Sequence, residues 1–420
     1  MLKKDIKKVS DRTFFYKDKE SITYSLEIAF IYDTSRINNL KCDILSYYLE
    51  RINSKYKSRK EIADREIELY SPKAVFWNNA FNNQSMFIYS YIMLDYKKVN
   101  DNYLDESLEF ASDMLFKTFI VDNKLDKDTF KIIKEDIYNG FINSIKDFEN
   151  DYRHKYNKAV LNGYLDNLIS YDTKDELKKD LDSITDKDII DFYNELLKNH
   201  YKTLIYGNLS KNDLDKFINK FSFKNNKKYN IVHEENIDLK SGYNEYVSKD
   251  FIQTVLIFTY KNNNSKKFAK EYYANIIGYM ANSFTGTLFK ILRTKYGLVY
   301  GYNYCLIRNS SVVCLTAYID KKNKDKTIKA VKEFFEQMKD RKVVEERLKC
   351  AKEKINENIM LSDEDSREKR YIACDIIFNN HLSNRAYISK VNSVTVDDII
   401  EFYSGLENEN IFYYVGDKDE

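Results

Sequence analysis

The stretch TDKDIIDFY at residues 185–193 returns almost unchanged as TVDDIIEFY at residues 395–403. The offset is 395 − 185 = 210 residues, half of the 420-residue chain. This period is far longer than that of a solenoid repeat, so it predicts two domains of one fold that arose by duplication. Each copy has a Thr-x-x-Asp start typical of a capping box, then an apolar helical pattern, then a strand that ends at Gly207 or Gly416.

The length and the polar middle of the chain define the domain boundaries. A chain of 420 residues exceeds what one hydrophobic core usually supports, and two domains of about 200 residues fit better. Residues 221–249 are rich in Lys, Asn and Glu, which is typical of a linker. We therefore predict an N-terminal domain at residues 1–220, a linker at 221–249 and a C-terminal domain at 250–420.

The order of patterns is the same in both halves, with strands followed by helices. In the first half, periodicity predicts a strand at 21–32, helices at 40–52, from 58, at 106–118 and at 126–161, and a hairpin of strands at 74–81 and 85–94. In the second, it predicts a strand at 251–260, a hairpin at 298–308 and 312–319, and helices at 265–282, 286–296, 325–339, 344–361 and 363–379. This order favours an α+β fold in which each half is a mainly antiparallel sheet with helices on one face.

Composition excludes several classes of protein. The formal net charge is +2 and basic residues are interspersed with acids, so neither a dedicated nucleic-acid protein nor a membrane-surface protein is indicated. No segment approaches 18 uncharged apolar residues, and no apolar run follows the first charges. The five cysteines form no CxxC, which favours a reducing compartment. We expect a cytoplasmic protein that binds neither nucleic acid nor a membrane.

The usual catalytic motifs are missing from the sequence. It contains no GxSxG, no P-loop and no GxGxxG. A zinc site most often uses two histidines three or four residues apart on one helical face. The four histidines are too far apart for that: His154, His200, His233 and His381.

One stretch, SFTGTLFKILRTKYGLVY at residues 283–300, stands out from the background. It resembles the C-terminal-domain signature of the pitrilysin/insulinase metallopeptidases, the inverted zincins, which runs approximately S-x-L-F-x-x-L-R-x-x-x-G-L-x-Y. Gly286 stands where that signature has Ser. The positions that match are Leu288, Phe289, Leu292, Arg293, Gly297, Leu298 and Tyr300.

The resemblance implies a fold and a degenerate metal motif. Subunits of that family consist of two homologous α+β domains joined by a linker, in agreement with the duplication. Active members carry HxxEH on a helix of the first domain, and here the aligned residues are YYLER, so Tyr47 and Arg51 replace both histidines while Glu50 remains. The third ligand aligns best with Gly140, with Glu135 and Asp136 as alternative registers. An arginine side chain cannot be deprotonated to bind zinc, so we expect no metal in this chain.

The residues at the matched motif positions also have structural interpretations. Glu50 is either the remaining general base or an ordinary exposed helix carboxylate near Lys41, Arg51 or Lys55. Arg293 is either a helix-surface charge or, by the resemblance, half of an Arg/Tyr pair that grips substrate. Tyr300 is either one aromatic on a half-buried strand or a donor to the oxygen that gains charge during hydrolysis. Gly297 allows a sharp exit from the helix, which would bring Arg293 and Tyr300 together.

The resemblance implies a function shared with a partner. In some members one subunit carries HxxEH and a homologous subunit supplies the Arg/Tyr pair. The leading hypothesis is therefore a non-zinc, substrate-binding subunit that is inactive alone, acts on peptides in trans with a zinc-containing HxxEH partner, and can form a homodimer in isolation. An alternative is a structural or peptide-binding homologue with no role in proteolysis. A third, an active metalloenzyme with other ligands, predicts stoichiometric zinc in the purified chain.

Overall fold

A computed structural model of the chain describes residues 6–81, 84–99, 102–118, 124–161, 171–223, 237–283, 286–307, 310–361, 376, 382 and 384–418. These residues form an α+β fold with two sheets, as the sequence predicts. No described helix is long and apolar enough to cross a lipid bilayer.

The first half contains six strands and eight α-helices among the described residues. The strands are β1 (Lys7–Lys8), β2 (Thr13–Lys17), β3 (Thr23–Asp33), β4 (Lys73–Phe81), β5 (Gln84–Leu94) and β6 (Tyr201–Gly207). The helices are α1 (Arg36–Leu49), α2 (Arg59–Glu68), α3 (Tyr103–Phe116), α4 (Lys127–Ser144), α5 (Phe148–Val160), α6 (Lys174–Ser183), α7 (Asp186–Leu196) and α8 (Lys211–Lys220).

The second half contains five strands and six α-helices in its described part. The strands are β7 (Gly242–Ser248), β8 (Thr254–Asn262), β9 (Val299–Leu306), β10 (Val312–Ile319) and β11 (Leu406–Gly416). The helices are α9 (Ser265–Phe268), α10 (Glu271–Asn282), α11 (Lys324–Gln337), α12 (Arg341–Leu361), α13 (Asn384–Ser393) and α14 (Val396–Ser404). Residues Phe289–Lys295 form a π-helical segment.

The two sheets have the same topology. The strand order is β1-β2-β6-β3-β5-β4 in the first sheet and β7-β11-β8-β10-β9 in the second. In both, only the pair β2/β6 or β7/β11 is parallel, and the remaining pairs are antiparallel. Apart from the short β1, the strands therefore correspond one to one, as expected for a duplicated fold.

The repeated stretch forms α7 and α14, each with the predicted capping box. The Thr185 hydroxyl accepts from the Asp188 amide at 3.3 Å, and the Thr185 amide donates to the Asp188 carboxylate at 2.8 Å. The corresponding distances at Thr395 and Asp398 are 3.1 and 2.7 Å. Each box satisfies two donors at the helix start that would otherwise lack partners.

Each sheet packs one face against its own helices. The side chains of Leu26, Ile28 and Phe30 on β3 are fully buried in the core of the first half. Leu256 and Phe258 on β8 have the same role in the second half. Alternation along a strand sends the intervening residues to the opposite face of each sheet.

The opposite face of the second sheet is covered by a helix from the first half. Tyr152 and Tyr156 of α5 pack against Val255, Ile257 and Tyr414. The Tyr156 hydroxyl lies 2.8 Å from the Thr259 hydroxyl, and the Tyr152 hydroxyl lies 2.8 Å from that of Tyr318.

The first sheet receives a residue from the second half in return. Ile376 packs against Leu204, with Phe14 and Tyr16 of β2 beside them. The Lys202 ammonium donates to the Ile376 carbonyl oxygen at 2.8 Å. Each half therefore contributes side chains to the interior of the other.

Three predicted elements differ from the structure. The helix predicted at 126–161 is two helices, because Asp147 caps a new one by accepting from the Asn150 amide at 3.0 Å. The helix predicted at 265–282 is also divided, into α9 and α10. Residues 242–248, inside the predicted linker, form β7, whose polar composition suits its mostly exposed position at a sheet edge. The helix predicted at 363–379 lies, apart from Ile376, outside the described residues.

Candidate functional site

Arg293 and Tyr300 lie side by side at the edge of the second sheet. Arg293 is on the π-helical segment, Tyr300 is on the edge strand β9, and the Arg293 guanidinium donates to the Tyr300 carbonyl oxygen at 3.1 Å. Both side chains are exposed, and Tyr300 retains 66% of its surface. The structure therefore brings together the two residues that the sequence predicted as a pair.

Gly297 connects the π-helical segment to β9. Its φ is +57°, in the left-handed region that L side chains rarely adopt. The Leu298 amide then donates back to the Leu292 carbonyl at 2.8 Å, which closes the end of the segment. This sharp exit places Tyr300 beside Arg293, as the sequence predicted.

Replacing Gly297 should test the importance of this turn. A valine there must adopt positive φ, so we expect Gly297→Val to lower the free energy of unfolding by about 1–2 kcal/mol. A Cβ at this position meets no atom within 4 Å, so the cost comes from the backbone alone. Urea denaturation of the purified chain measures it. Gly297→Asn is the matched control, because Asn tolerates this region better, and equal stabilities for both variants would contradict the assignment.

Tyr300 has a carboxylate partner that the sequence did not suggest. Its hydroxyl donates to Asp320, just beyond β10, and this hydrogen bond raises the pKa of the phenol above its ordinary value. Burial raises the pKa of the neighbouring Tyr302 to about 12, against the opposing charge of Arg293. Tyr300 thus keeps its proton at neutral pH and can donate a hydrogen bond if it leaves Asp320.

The degenerate metal motif lies at the end of α1, facing α4. Arg51 forms an ion pair with Asp136 of α4, with 2.7 Å between nitrogen and oxygen. Tyr47, Asp136 and Gly140 line one cavity of about 750 Å³. The structure therefore places α4 against the end of α1, with Asp136 rather than Glu135 paired with Arg51.

Glu50 has a structural role that neither interpretation of the sequence included. Its carboxylate accepts from the backbone amide of Phe76 on the edge strand β4 at 3.1 Å. Burial raises the pKa of Glu50, and the charges of Arg59 and Arg51 oppose the shift. Glu50 is therefore neither an ordinary exposed carboxylate nor free of partners, because it ties the end of α1 to the sheet edge.

The second half has a corresponding contact. The Asn282 side chain, at the end of α10, donates to the Tyr304 carbonyl at 2.6 Å and accepts from the Tyr304 amide at 3.0 Å. Tyr304 lies on β9, the edge strand that corresponds to β4. Both halves therefore hold the edge strand to a helix end through one polar side chain. No sequence pattern predicts this contact, because each side chain binds a strand that follows later in the chain.

The residues at the degenerate motif do not fit a zinc ion. Arg51 offers only donors and is occupied by Asp136, and Glu50 accepts from Phe76. Within the described part of the chain, no three His, Cys, Asp or Glu side chains converge as metal ligands would. The cavity also contains Asp43, whose pKa burial raises to about 7, against the hydrogen bond that Asn78 donates.

Comparison with protein families gives one match. Residues 183–355 match the family model of the peptidase M16 inactive domain. The matched segment runs from just before α7 into α12 and includes Arg293 and Tyr300, but not Tyr47, Glu50 or Arg51. This match supports the coarser part of the resemblance, namely that the segment is similar to an inactive domain of a peptidase family. No curated protein sequence matches the chain.

Several solved structures share the fold. A conserved protein from Enterococcus faecalis superimposes with a TM-score of 0.79 at 18% identity, covering 97% of both chains. A peptidase M16 inactive domain from Pseudomonas fluorescens gives 0.72 at 16% identity, again over 97% of both. The ferredoxin protease FusC, in complex with Arabidopsis ferredoxin, gives 0.66 at 11% identity over 99% of this chain and 46% of FusC. Identities this low establish the fold alone.

Proposed function

We propose that this chain is the non-zinc, substrate-binding subunit of a heterodimeric pitrilysin-like peptidase. It holds an extended peptide in a chamber shared with a homologous partner that carries HxxEH. The observation that carries the proposal is the adjacent, exposed pair of Arg293 and Tyr300 beside a sheet edge, in a chain whose metal-motif position holds an Arg51–Asp136 ion pair.

The chemistry of the pair suits a peptide backbone. The Arg293 guanidinium is a rigid fork of donors that binds peptide carbonyl oxygens. The Tyr300 hydroxyl donates to the oxygen that gains negative charge as the scissile carbonyl is attacked, after it exchanges Asp320 for substrate. The zinc of the partner supplies the Lewis acid. This chain binds and orients the peptide and stabilises developing charge.

The lengths of this chain and of FusC support an assembly of two units of the size of this chain. FusC has 46% of its length covered by this fold, so a longer chain there contains an equivalent of this protein and further structure of similar length. The FusC structure is a complex with ferredoxin. For this chain we infer peptides or unfolded segments as substrates, because an added strand at a sheet edge must be extended.

A second candidate is a structural or peptide-binding protein without a role in hydrolysis. It is favoured by the fact that both residues already have partners within the chain. Arg293 donates to the Tyr300 carbonyl, and Tyr300 donates to Asp320. These contacts alone would be sufficient reason for both residues to be present.

Reconstitution separates these candidates. We expect the purified chain alone to contain no stoichiometric zinc and to leave a quenched fluorescent peptide uncleaved. Mixed with the HxxEH homologue from the same organism, it should raise cleavage well above that of the homologue alone. The proposal fails if the chain alone hydrolyses the peptide in a chelator-sensitive manner, or if adding it to the homologue changes nothing. Light scattering of each sample reports whether homodimers or heterodimers form.

A further inference from the structure

The second half contains a cavity of about 690 Å³ between α10, α12 and β9. These elements correspond to α1, α4 and β4, which surround the degenerate metal motif in the first half. Neither Arg293 nor Tyr300 lines this cavity. A volume of this size holds a small organic molecule or a dipeptide, since ligand cavities commonly span about 300–1,000 Å³.

Arg347 of α12 lines this cavity as a buried cation. Its side chain is 9% exposed, and its Nε has no hydrogen-bond partner among the described residues. Among the described residues, its ion pair at 3.3 Å is with the adjacent Glu346, which is 67% exposed and therefore well screened by water. Burying a guanidinium with so few hydrogen-bond and charge partners costs desolvation free energy. An anion bound in the cavity would offset that free energy.

The remaining lining is largely apolar. Lys354 follows Arg347 by seven residues on α12, is 52% exposed near the rim and already pairs with Glu357 at 2.9 Å, so among the described lining residues Arg347 is the cation that lacks a buried partner. None of the described lining residues is Asp or Glu. The apolar surface comes from residues that include Ala274, Met280, Leu306 and Ala351.

Gly278 opens space on the α10 side. A Cβ built there meets no atom within 4 Å, and the residue lines the cavity. The body of a ligand can therefore lie against α10 while its charged end reaches α12.

We propose that this cavity binds a carboxylate carried on an apolar body, with Arg347 as the partner of the carboxylate. Charge-assisted bonds from arginine to carboxylate are among the strongest in proteins, and the apolar walls bury the rest of the molecule. The ligand is the free C-terminus of a short peptide or a free organic acid. The site does not depend on the proposed peptidase role, because it uses none of the same residues.

Calorimetric titration of the full chain tests the proposal with three probes: N-acetyl-leucyl-leucine, its C-terminal carboxamide, and octanoate. We expect saturable binding of at least one carboxylate and none of the carboxamide. Binding of the dipeptide acid identifies a peptide C-terminus as the source, and binding of octanoate alone identifies an organic acid. Equal binding of acid and carboxamide, or no binding of either carboxylate, overturns the proposal.

Two variants locate the site. Arg347→Met removes the cation at similar volume and should weaken carboxylate binding by about tenfold or more. Gly278→Leu keeps Arg347, fills the cavity and should abolish binding even if Arg347→Met fails to fold. Gly140→Leu, a matched change on α4 where a Cβ also meets nothing within 4 Å, should bind as the natural chain does. Undiminished binding by Gly278→Leu would show that the ligand lies elsewhere.

Discussion

Replacing Arg293 with alanine should lower kcat/KM of the reconstituted heterodimer about 100-fold, because the substrate loses both a carbonyl partner and its orientation. Tyr300→Phe removes only the hydroxyl and should cost about as much, since it removes a donor to developing charge. Arg293 is exposed and Tyr300 retains 66% of its surface, so neither change should unfold the chain. The zinc content of the partner should be the same with either variant.

The measurement is initial cleavage rate of a fluorescent peptide, with the variant chain in saturating excess over its partner. Lys290→Ala is the matched control, because Lys290 is an exposed cation on the same π-helical segment and is three residues from Arg293. Arg293→Lys should stay far below the natural chain, because an ammonium lacks the forked donors. Unchanged kcat/KM in both Arg293→Ala and Tyr300→Phe would favour the structural candidate.

Replacing Gly416 with alanine should destabilise the chain by roughly 3 kcal/mol, the largest effect on stability that we expect from adding a single methyl group. A Cβ at Gly416 would lie 2.4 Å from the Gln253 carbonyl oxygen and 2.5 Å from the Ile252 carbonyl carbon. These are backbone atoms, so β11 and the residues before β8 must separate to admit it.

The corresponding glycine of the first half should behave in the same way. At Gly207, φ is +136° and a Cβ would lie 2.9 Å from the Thr23 carbonyl oxygen. Urea denaturation of both variants measures the loss. Gly140→Ala is the control, because it adds a methyl group in open space on α4 and should stabilise the chain by about 0.5–1 kcal/mol. A Gly416→Ala variant as stable as the natural chain would contradict the predicted clash.

The fold was largely predictable because its main signals are local or repeated. The repeat at Thr185 and Thr395 predicted two matching helix starts with capping boxes, and it implied the matching strand order of the two sheets. The break between α4 and α5 was missed because it contains neither Gly nor Pro, only the cap at Asp147. Strand β7 was missed because a mostly exposed edge strand has the composition of a linker.

The sequence predicted contacts within the site only between residues that are close together in the chain. Gly297 lies between Arg293 and Tyr300, so their proximity followed from one turn. The partners of the site come from distant parts of the chain, as Asp320 and Asp136 do, and periodicity carries no information about them. Arg347 was not singled out either, because an arginine on an amphipathic helix gives no sign of being buried until α10 and β9 are in place.

The reciprocal packing of α5 and Ile376 limits how the protein can be divided. A fragment ending at residue 220 would present Tyr152 and Tyr156 to solvent, and one starting at residue 250 would leave Val255, Ile257 and Tyr414 bare. In each fragment, an apolar surface that is covered in the intact chain would be exposed to solvent, and exposed apolar surfaces promote aggregation. Truncated versions are therefore expected to aggregate, and expression work on either half needs the other half present.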